Sequence, residues 1–283
     1  MGNYSESTGN LLGQGDVALY WRCWTVPEPQ GIVVLVHGLG EHCGRYSNII
    51  NRLAGEQVSF YSLDHRGHGK SQGPRGHLEK FDYFIQDLKL VVDMAHQQNP
   101  GVPLIMLGHS MGGAIAGRYA LTYPQDIDAL ILSAAGIIPG TSLPAWQDIL
   151  LKVLSRIAPG ASFPNGLSAD DLSHDLAVVK AYNDDPLVHN KISARWYTEI
   201  LANSQEILQR ASELTMPLLV MHGGGDKIVS ITGSEQVYNA ARAADKQYKV
   251  FPGLYHETMN EKQPEQGEVL DVVAQWILSH IEK

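Results

Sequence analysis

Short, strongly apolar segments rich in Val, Ile and Leu recur along this 283-residue chain and alternate with helical patterns. The apolar segments are 32–36, 58–63, 104–107, 129–132, 218–221 and 248–251. Segments of this kind are typical of strands that are buried on both faces of a parallel sheet. Alternation of such strands with helices predicts an α/β fold in which helices cover both sides of a mostly parallel sheet.

The remaining patterns define the other elements and a break in the alternation. A further strand is predicted at 17–26, and helices are predicted at 46–55, 82–98, 112–123 and 265–281. Between 138 and 216 the sequence instead holds three apolar helical pieces bounded by prolines, and no convincing strand. We therefore expect a core formed by 1–137 and 216–283, and a helical cap inserted at 138–215.

Composition excludes several classes of protein. The 30 acidic residues outnumber the 21 basic ones, so the net charge is −9 and a nucleic-acid partner is not expected. The two cysteines are too few for a disulfide framework. The sequence contains no run of 18 apolar residues, so no membrane span is predicted. The N-terminus lacks the basic start and apolar stretch of a secretory signal, so we expect a cytoplasmic protein.

One motif carries a specific chemistry. The sequence G-H-S-M-G-G at 108–113 follows an apolar strand and opens a helix. This is the G-x-S-x-G nucleophile elbow in its required strand–turn–helix context. Glycines are needed beside the serine because strand and helix backbones nearly touch at such a turn. We therefore predict Ser110 as a catalytic nucleophile, the alternative being a chance Gly-Ser-Gly turn.

A serine hydroxyl is unreactive at neutral pH, so it needs a base that is itself oriented by an acid. In folds with this elbow, the acid and then the histidine follow the serine along the chain. Asp226 lies at the carboxyl end of the strand 218–221, and His256 lies in a loop after the strand 248–251. Both positions belong to the ligand side of an open α/β sheet. The order Ser110, Asp226, His256 is the predicted triad.

Other acids and bases are less suitable. His222 closes an apolar strand, and His280 lies near the end of the last helix, where a structural or solvated role is expected. Asp64 precedes the nucleophile along the chain, which is the wrong order for this elbow, and its glycine-rich turn is predicted to support the site. A turn aspartate and a surface histidine are the structural alternatives for Asp226 and His256 themselves.

Two backbone amides are the expected oxyanion donors. One belongs to Met111, directly after the nucleophile, and the other to Leu39 in the glycine-containing loop 36–40. The glycines of that loop have the spacing G-x-G-x-x-x-G, one residue longer than a dinucleotide motif, so no nucleotide cofactor is predicted. His37 and His42 lack a third clustered ligand, so no metal is predicted either.

Four segments together resemble one known family. They are 37–42 (H-G-L-G-E-H) with 44–46 (G-R-Y), 64–73, 108–114, and 182–187 (Y-N-D-D-P-L) in the insertion. With these motifs the sequence resembles the monoacylglycerol lipases and related monoglyceride hydrolases of the α/β-hydrolase fold. The resemblance implies an eight-stranded sheet, a helical cap that meets the membrane, and hydrolysis of monoacylglycerols to glycerol and fatty acid.

The resemblance also assigns residues. It implies Ser110, Asp226 and His256 as the triad, with Leu39 and Met111 as oxyanion donors. Positions near the alcohol end of the substrate match Arg45, His109 and Tyr182. One departure stands out, because Val178 occupies the position at which the family has a carboxylate that helps to hold glycerol. Glycerol is then held differently, for example through Asp175, or the leaving group is different.

The most apolar part of the insertion is a helical pattern at 146–158. Its apolar residues are too many for one buried face, and they include Ile149, Leu150, Leu154 and Ile157. One interpretation is a plain cap core. The other is a mouth that docks on lipid and admits an acyl chain, with Ile149, Leu150 and Leu154 binding substrate. Few basic residues flank the pattern, so adhesion is expected to be hydrophobic, reversible and peripheral.

The leading hypothesis is therefore an esterase of lipid monoesters that uses an acyl-enzyme. A lysophospholipase or a general carboxylesterase of the same fold is the nearest alternative, and Val178 keeps it open. An aminopeptidase would need converging acidic residues in the cap. A binding protein without activity would be expected to have lost part of the triad, whereas all three residues are present.

Overall fold

The computed structural model describes residues 4–281. The N-terminal segment considered for targeting includes residues 1–3, which lie outside the described residues. The strands are β1 (Ser5–Leu12), β2 (Ala18–Thr25), β3 (Gly31–Val36), β4 (Val58–Leu63), β5 (Leu104–His109), β6 (Ala129–Ser133), β7 (Ser162–Pro164), β8 (Lys191–Ser193), β9 (Leu218–Gly223) and β10 (Lys246–Phe251). The α-helices are α1 (Ser47–Arg52), α2 (Asp82–Gln98), α3 (Met111–Thr122), α4 (Ala145–Ile157), α5 (Leu176–Asp184), α6 (Ala194–Arg210), α7 (Ile231–Ala240) and α8 (Glu265–Ser279). Single 3₁₀ turns occur at Cys43–Arg45, Pro124–Asp126, Ala169–Asp171, Ala211–Glu213 and Thr258–Asn260.

The main sheet has eight strands, as expected, and their order is β1-β2-β4-β3-β5-β6-β9-β10. The pairs β1–β2 and β2–β4 are antiparallel, and the other neighbours run parallel. Every residue of β3, β4, β5, β6 and β9 is buried. Val34 packs in a core with α2 and α3, whereas its neighbour Val33 packs in a second core with α1 and α8. Burial on both faces explains why these strands are apolar without alternation.

One strand of the main sheet was not predicted. β1 is almost wholly exposed, and its sequence, S-E-S-T-G-N-L-L, is largely polar. It pairs along its full length with β2, from Ser5 opposite Thr25 to Leu12 opposite Ala18. An edge strand is stabilised by its backbone ladder and needs no buried side-chain face. Hydrophobic periodicity therefore could not reveal it.

The segment between β6 and β9 holds α4, α5 and α6, but it also contains β7 and β8, which pair antiparallel over three residues each. The expectation of no strand in this segment is therefore wrong, because three-residue strands are too short to produce a visible alternation. The segment contacts the carboxyl ends of the main strands: His189 N–H donates to Gly40 O at 2.9 Å, and Glu257 N–H donates to Leu172 O at 2.8 Å. We propose that 138–215 acts as a cap on a core of 1–137 and 216–283.

None of the helices in residues 4–281 combines the length and the apolar character required to cross a lipid bilayer.

Candidate active site

Ser110 lies on a sharp turn between β5 and α3, with a backbone φ of +55° and ψ of −123°. Non-glycine residues rarely adopt this conformation, so the surroundings must hold it. Ser110 N–H donates to Ser133 O at 3.0 Å, and Ser110 O accepts from Gly136 N–H at 2.7 Å. A Cβ at Gly108 would lie 2.4 Å from Gly112 O. The elbow therefore requires glycine at 108, because β5 and α3 are in contact there.

Gly112 is predicted to be irreplaceable. A Cβ there would lie 2.0 Å from Val36 O, so α3 would have to move away from β3. We expect Gly112→Ala to lower the free energy of unfolding by about 3 kcal/mol or more, measured by urea denaturation. Gly117→Ala in the same helix is the matched control, because its new methyl group would meet Ile207 at an ordinary 3.7 Å. That variant should be as stable as the parent or more stable by up to about 1 kcal/mol.

His256 and Asp226 form a buried pair at the carboxyl ends of β9 and β10. The distance between His256 Nδ1 and Asp226 Oδ2 is 2.7 Å, and Asp226 Oδ1 accepts from the N–H groups of Ile228 and Val229 at 2.8 and 3.0 Å. Burial alone would raise the pKa of Asp226, but hydrogen bonds from His222 and His256 outweigh it and hold the pKa below its ordinary value. The aspartate is therefore ionised at neutral pH, so it accepts a proton-bearing Nδ1 and leaves Nε2 free as a base.

The structure brings Ser110 and His256 to one cavity of about 150 Å³. The loop residues of the core meet residues of the segment 138–215 around it. The lining consists of Gly38, Leu39, Glu41, His109, Ser110, Asn165, Leu167, Ser168, Ala169, Leu172, Tyr182, Asn183, Asn190, Ile228, His256 and Glu257. This cavity, which holds both the nucleophile and the base of the predicted triad, is the candidate active site.

The loop after β3 lies directly against Ser110, the predicted nucleophile. A Cβ at Gly38 would lie 2.9 Å from Glu41 Oε1 and 3.2 Å from Ser110 Cβ, so a side chain here would have to displace Glu41 or Ser110. Leu39 lines the cavity, and among residues 4–281 no acceptor is bonded to the backbone N–H of Leu39 or Met111. His37 braces the loop, because its Nδ1 lies 2.8 Å from Gly38 O while its Nε2 accepts from His65 N–H. Both amides are therefore available to a ligand, and their role as oxyanion donors stays a prediction.

Two buried carboxylates next to the site were not predicted. Glu257 forms a two-point ion pair with Arg45 at 2.6 and 2.8 Å, and Glu41 contacts the same guanidinium at 3.1 Å. Burial would raise the pKa of Glu41, but mainly the charge of Arg45 lowers it to about 2. Burial would lower the pKa of Arg45, but the negative charges of Glu257 and Glu41 outweigh burial and raise this pKa above its ordinary value. The signals in the sequence were the place of Glu41 in the motif at 37–42 and the position of Glu257 directly after His256.

The residues predicted at the alcohol end of the substrate lie in different settings. His109 and Tyr182 line the cavity, whereas Arg45 lies behind it, with its guanidinium 4.8 Å from the Tyr182 ring centre. The ring centres of His109 and His256 are 4.8 Å apart. Burial, followed by the nearby His256, lowers the pKa of His109 to about 4. His109 is therefore neutral at pH 7 and carries no charge that would compete with protonation of His256.

Other predicted residues lie away from the cavity. Ile149, Leu150 and Leu154 are not among its lining residues, and Ile149 and Leu150 are exposed on α4. Their role in substrate binding stays a prediction. Asp175, considered for holding glycerol in place of Val178, instead caps α5 by accepting from Ala177 N–H at 2.8 Å.

The alternative acids and bases have structural settings. Asp64 accepts from the N–H groups of Cys43 and Lys70, at 2.9 and 2.8 Å, and so joins two loops. His222 is fully buried, with Nδ1 2.8 Å from Ser234 Oγ and Nε2 3.2 Å from Asp226. His222 and His256 therefore both contact the same oxygen of Asp226, Oδ2.

The sequence and the fold are similar to those of known proteins. Residues 27–263 match a family model described as "Serine aminopeptidase, S33". The monoacylglycerol lipase of Mycolicibacterium smegmatis is 40% identical over 98% of this chain and 99% of that protein. Phospholipase YtpA of Bacillus subtilis is 31% identical over 86% of this chain and 93% of that protein. The crystal structure of Paleococcus ferrophilus monoacylglycerol lipase superimposes with a TM-score of 0.85 at 34% identity, covering 93% of this chain and 99% of that one.

A serine on a strand–helix elbow, in a doubly covered and mostly parallel sheet, is the arrangement of the serine hydrolases with the α/β-hydrolase fold. This protein is an esterase or lipase of that class. More narrowly, the chain belongs to the monoacylglycerol lipase family.

Proposed function

We propose that this protein hydrolyses monoacylglycerols to glycerol and free fatty acid, with Ser110 as the nucleophile, His256 as the base and Asp226 as the orienting acid. The observation that carries the proposal is the 2.7 Å contact between His256 and Asp226 at a cavity that Ser110 also lines. Full-length similarity to the M. smegmatis monoacylglycerol lipase supports the choice of substrate.

In the first half of the reaction, Ser110 Oγ attacks the ester carbonyl carbon while His256 Nε2 takes the hydroxyl proton. Negative charge develops on the carbonyl oxygen, and the N–H groups of Leu39 and Met111 are the proposed donors to it. The bond between the carbonyl carbon and the glycerol oxygen then breaks. His256 gives its proton to that oxygen, so neutral glycerol leaves and the acyl group remains on Ser110.

In the second half, a water molecule attacks the acyl-enzyme and His256 takes one of its protons. The bond to Ser110 Oγ breaks, the serine regains its proton from His256, and the fatty acid departs. The ionised Asp226 stabilises the imidazolium that forms twice in this cycle. One water molecule is consumed in each turnover.

The lining of the cavity has two chemical characters. Leu167, Leu172 and Ile228 are apolar, whereas Asn165, Asn183 and Asn190 offer amide groups. An ester that carries an alkyl chain on one side and hydroxyl groups on the other matches such a surface. The absence of a carboxylate at Val178 leaves these amides and Tyr182 as the groups proposed to hold the glycerol.

The substrate class is tested with a panel of purified compounds. We expect the highest kcat/KM for 1- or 2-monooleoylglycerol, measured by glycerol release. Lysophosphatidylcholine, trioleoylglycerol, p-nitrophenyl butyrate and alanine p-nitroanilide are the competitors. A kcat/KM for any competitor above that for both monoacylglycerols would contradict the proposal.

A lysophospholipase is the second candidate, because phospholipase YtpA is similar over most of this chain. The alcohol released from lysophosphatidylcholine is glycerophosphocholine, whose negative phosphate would need a cation at the alcohol end. The cation behind the cavity, Arg45, is already paired with Glu41 and Glu257. The geometry therefore favours an uncharged alcohol, and the comparison of monooleoylglycerol with lysophosphatidylcholine decides between them.

We also propose that α4 docks reversibly on lipid. One face of this helix exposes large apolar side chains: Trp146 is 64% exposed, Ile149 61%, Val153 49% and Ile157 74%. The basic residues of the helix are Lys152 and Arg156, and Lys152 is paired with Asp148 at 2.7 Å. Contact with lipid would therefore depend on apolar burial more than on charge.

The prediction concerns the double variant Ile149→Ser/Ile157→Ser. Full burial of one isoleucine side chain contributes about 1.5–3 kcal/mol, and replacement by serine removes this contribution. Even if both side chains are only partly buried in lipid, the double variant should bind phosphatidylcholine vesicles at least about tenfold more weakly. The measurement is co-sedimentation, with hydrolysis of p-nitrophenyl acetate as a check on the active site. Leu12→Ser is the control, because Leu12 is 68% exposed on β1, away from α4. If the double variant bound the vesicles as tightly as the parent protein, docking through α4 would be contradicted.

A further inference from the structure

A buried carboxylate outside the proposed triad joins the loop of His256 to the segment 138–215. The side chain of Glu261 has no exposed surface. Its Oε1 accepts from Tyr255 N–H at 2.8 Å and contacts His174 Nδ1 at 2.9 Å. Its Oε2 accepts from His174 N–H at 2.9 Å, whereas the Ser173 hydroxyl lies 3.4 Å from Oε2 and donates to Asn260 O at 2.9 Å. The Glu261 side chain thus receives three hydrogen bonds, one from Tyr255 and two from His174.

Both parts continue directly to the site. Tyr255 is the residue before His256, and Ser173 and His174 follow Leu172, which lines the cavity. Leu172 O accepts from Glu257 N–H at 2.8 Å, and the His174 and Tyr255 rings are stacked with centres 3.7 Å apart. Both neighbours of His256 are therefore held by the segment 171–174. Glu257 is bonded to it directly through Leu172, and Tyr255 is linked to it through Glu261, which also binds His174.

The ionised form of Glu261 is the one that suits these contacts. Burial acts to raise its pKa, but hydrogen bonds from Tyr255 N–H and from His174 outweigh burial and lower the pKa below its ordinary value. A carboxylate with two acceptor oxygens satisfies all three donors at once, whereas a neutral group could not.

We propose that Glu261 is a positioning residue for His256: it fixes the backbone that carries the imidazole and couples that position to the seating of the segment 171–174. The inference rests on the proposed function only in taking His256 as the base. It does not depend on which ester is the substrate.

Glutamine cannot replace Glu261 in this setting. Its amide has one oxygen and one NH₂ group. If the NH₂ group occupies the position of Oε1, it faces the N–H of Tyr255; if it occupies the position of Oε2, it faces the N–H of His174. Either orientation places two donors against each other. Glu261→Gln is therefore expected to displace either the backbone at Tyr255 or the backbone at His174, although the volume of the side chain hardly changes.

The experiment compares Glu261→Gln with Lys262→Ala, an exposed neighbour on the same loop. We measure the rate at which a fluorophosphonate probe labels Ser110, and kcat and KM for p-nitrophenyl acetate. A displacement of the imidazole by about 1 Å is expected to slow labelling and to lower kcat by about 10²-fold, with KM unchanged. Lys262→Ala should match the parent in all three quantities.

A purely structural role gives a different result. If Glu261→Gln lowers the melting temperature but the folded enzyme is labelled at the parent rate, the proposal is wrong. It is equally wrong if only the KM for monooleoylglycerol rises while labelling is unchanged, because Glu261 would then anchor the cap alone. Fluorophosphonate and p-nitrophenyl acetate report the serine chemistry even if monoacylglycerol proves not to be the substrate, so the two failures are distinguishable.

A second variant keeps the inference testable if Glu261→Gln does not fold. His174→Ala removes one bond to Oε1 and the stacking on Tyr255, and the His174 side chain is 34% exposed, so the fold should tolerate it. We expect labelling of Ser110 to slow by roughly three- to tenfold, in keeping with moderate coupling between contacting residues. Labelling of this variant at the parent rate would overturn the proposed coupling.

Discussion

Replacing Ser110 by alanine should lower kcat by on the order of 10⁶ for every ester that the enzyme accepts. Only the hydroxyl oxygen is removed, so the route through an acyl-enzyme is closed while the cavity and the two oxyanion amides remain. Residual hydrolysis above the rate in water would come from those amides and from binding. The measurement is single-turnover release of fatty acid, together with labelling by a fluorophosphonate probe, which should disappear.

Ser168 is the matched control, since it also lines the cavity. Ser168→Ala should keep full labelling and a kcat within about tenfold of the parent, because loss of one neutral hydrogen bond is worth about 1 kcal/mol. If labelling persisted in Ser110→Ala and vanished in Ser168→Ala, the nucleophile would be Ser168 and the assignment of Ser110 would be wrong.

Asp226→Asn should lower kcat by about 10⁴-fold without unfolding the protein. The asparagine oxygen can still accept from the N–H groups of Ile228 and Val229, so the turn after β9 is retained. Its NH₂ group would face His256 Nδ1 and favour the tautomer with the proton on Nε2, which cannot accept the proton of Ser110. The measurement is kcat for p-nitrophenyl acetate, with the rate of fluorophosphonate labelling expected to fall in parallel.

The control for this change is Asp271→Asn. Asp271 is half exposed on α8 and pairs with Arg52 on the surface, so the same chemical substitution should leave kcat unchanged. A kcat for Asp226→Asn within tenfold of the parent would mean that His256 needs no orienting carboxylate, and the assignment of Asp226 would be wrong.

The fold could be predicted where burial leaves a pattern in the side chains. β3 and β4 were recognised because both faces of each strand are covered, and α2 begins and ends at the predicted residues, 82 and 98, because its apolar face recurs at helical spacing. β1 was missed because it is an exposed edge, where the backbone ladder alone holds the strand. β7 and β8 were missed because three residues cannot establish a period.

The candidate site divides in the same way. The elbow around Ser110 could be predicted because strand and helix backbones meet there and exclude every side chain at Gly108 and Gly112. Asp226 and His256 followed from chain order and from their place at the ends of strands. Glu41 and Glu257 could not be predicted, because a carboxylate becomes a buried partner of Arg45 only when residues 41, 45 and 257 are brought together.

By itself, then, the sequence predicted the inner strands of the sheet, the elbow that carries Ser110 and the chain order of the proposed triad, since those features depend on local spacing and on the volume allowed at single positions. The tertiary structure decided how the loop of His256 is held, through Glu261 and the segment 171–174, and which apolar residues of α4 face outwards rather than into the cavity. These features depend on contacts between residues far apart along the chain, where neither periodicity nor motif spacing carries information.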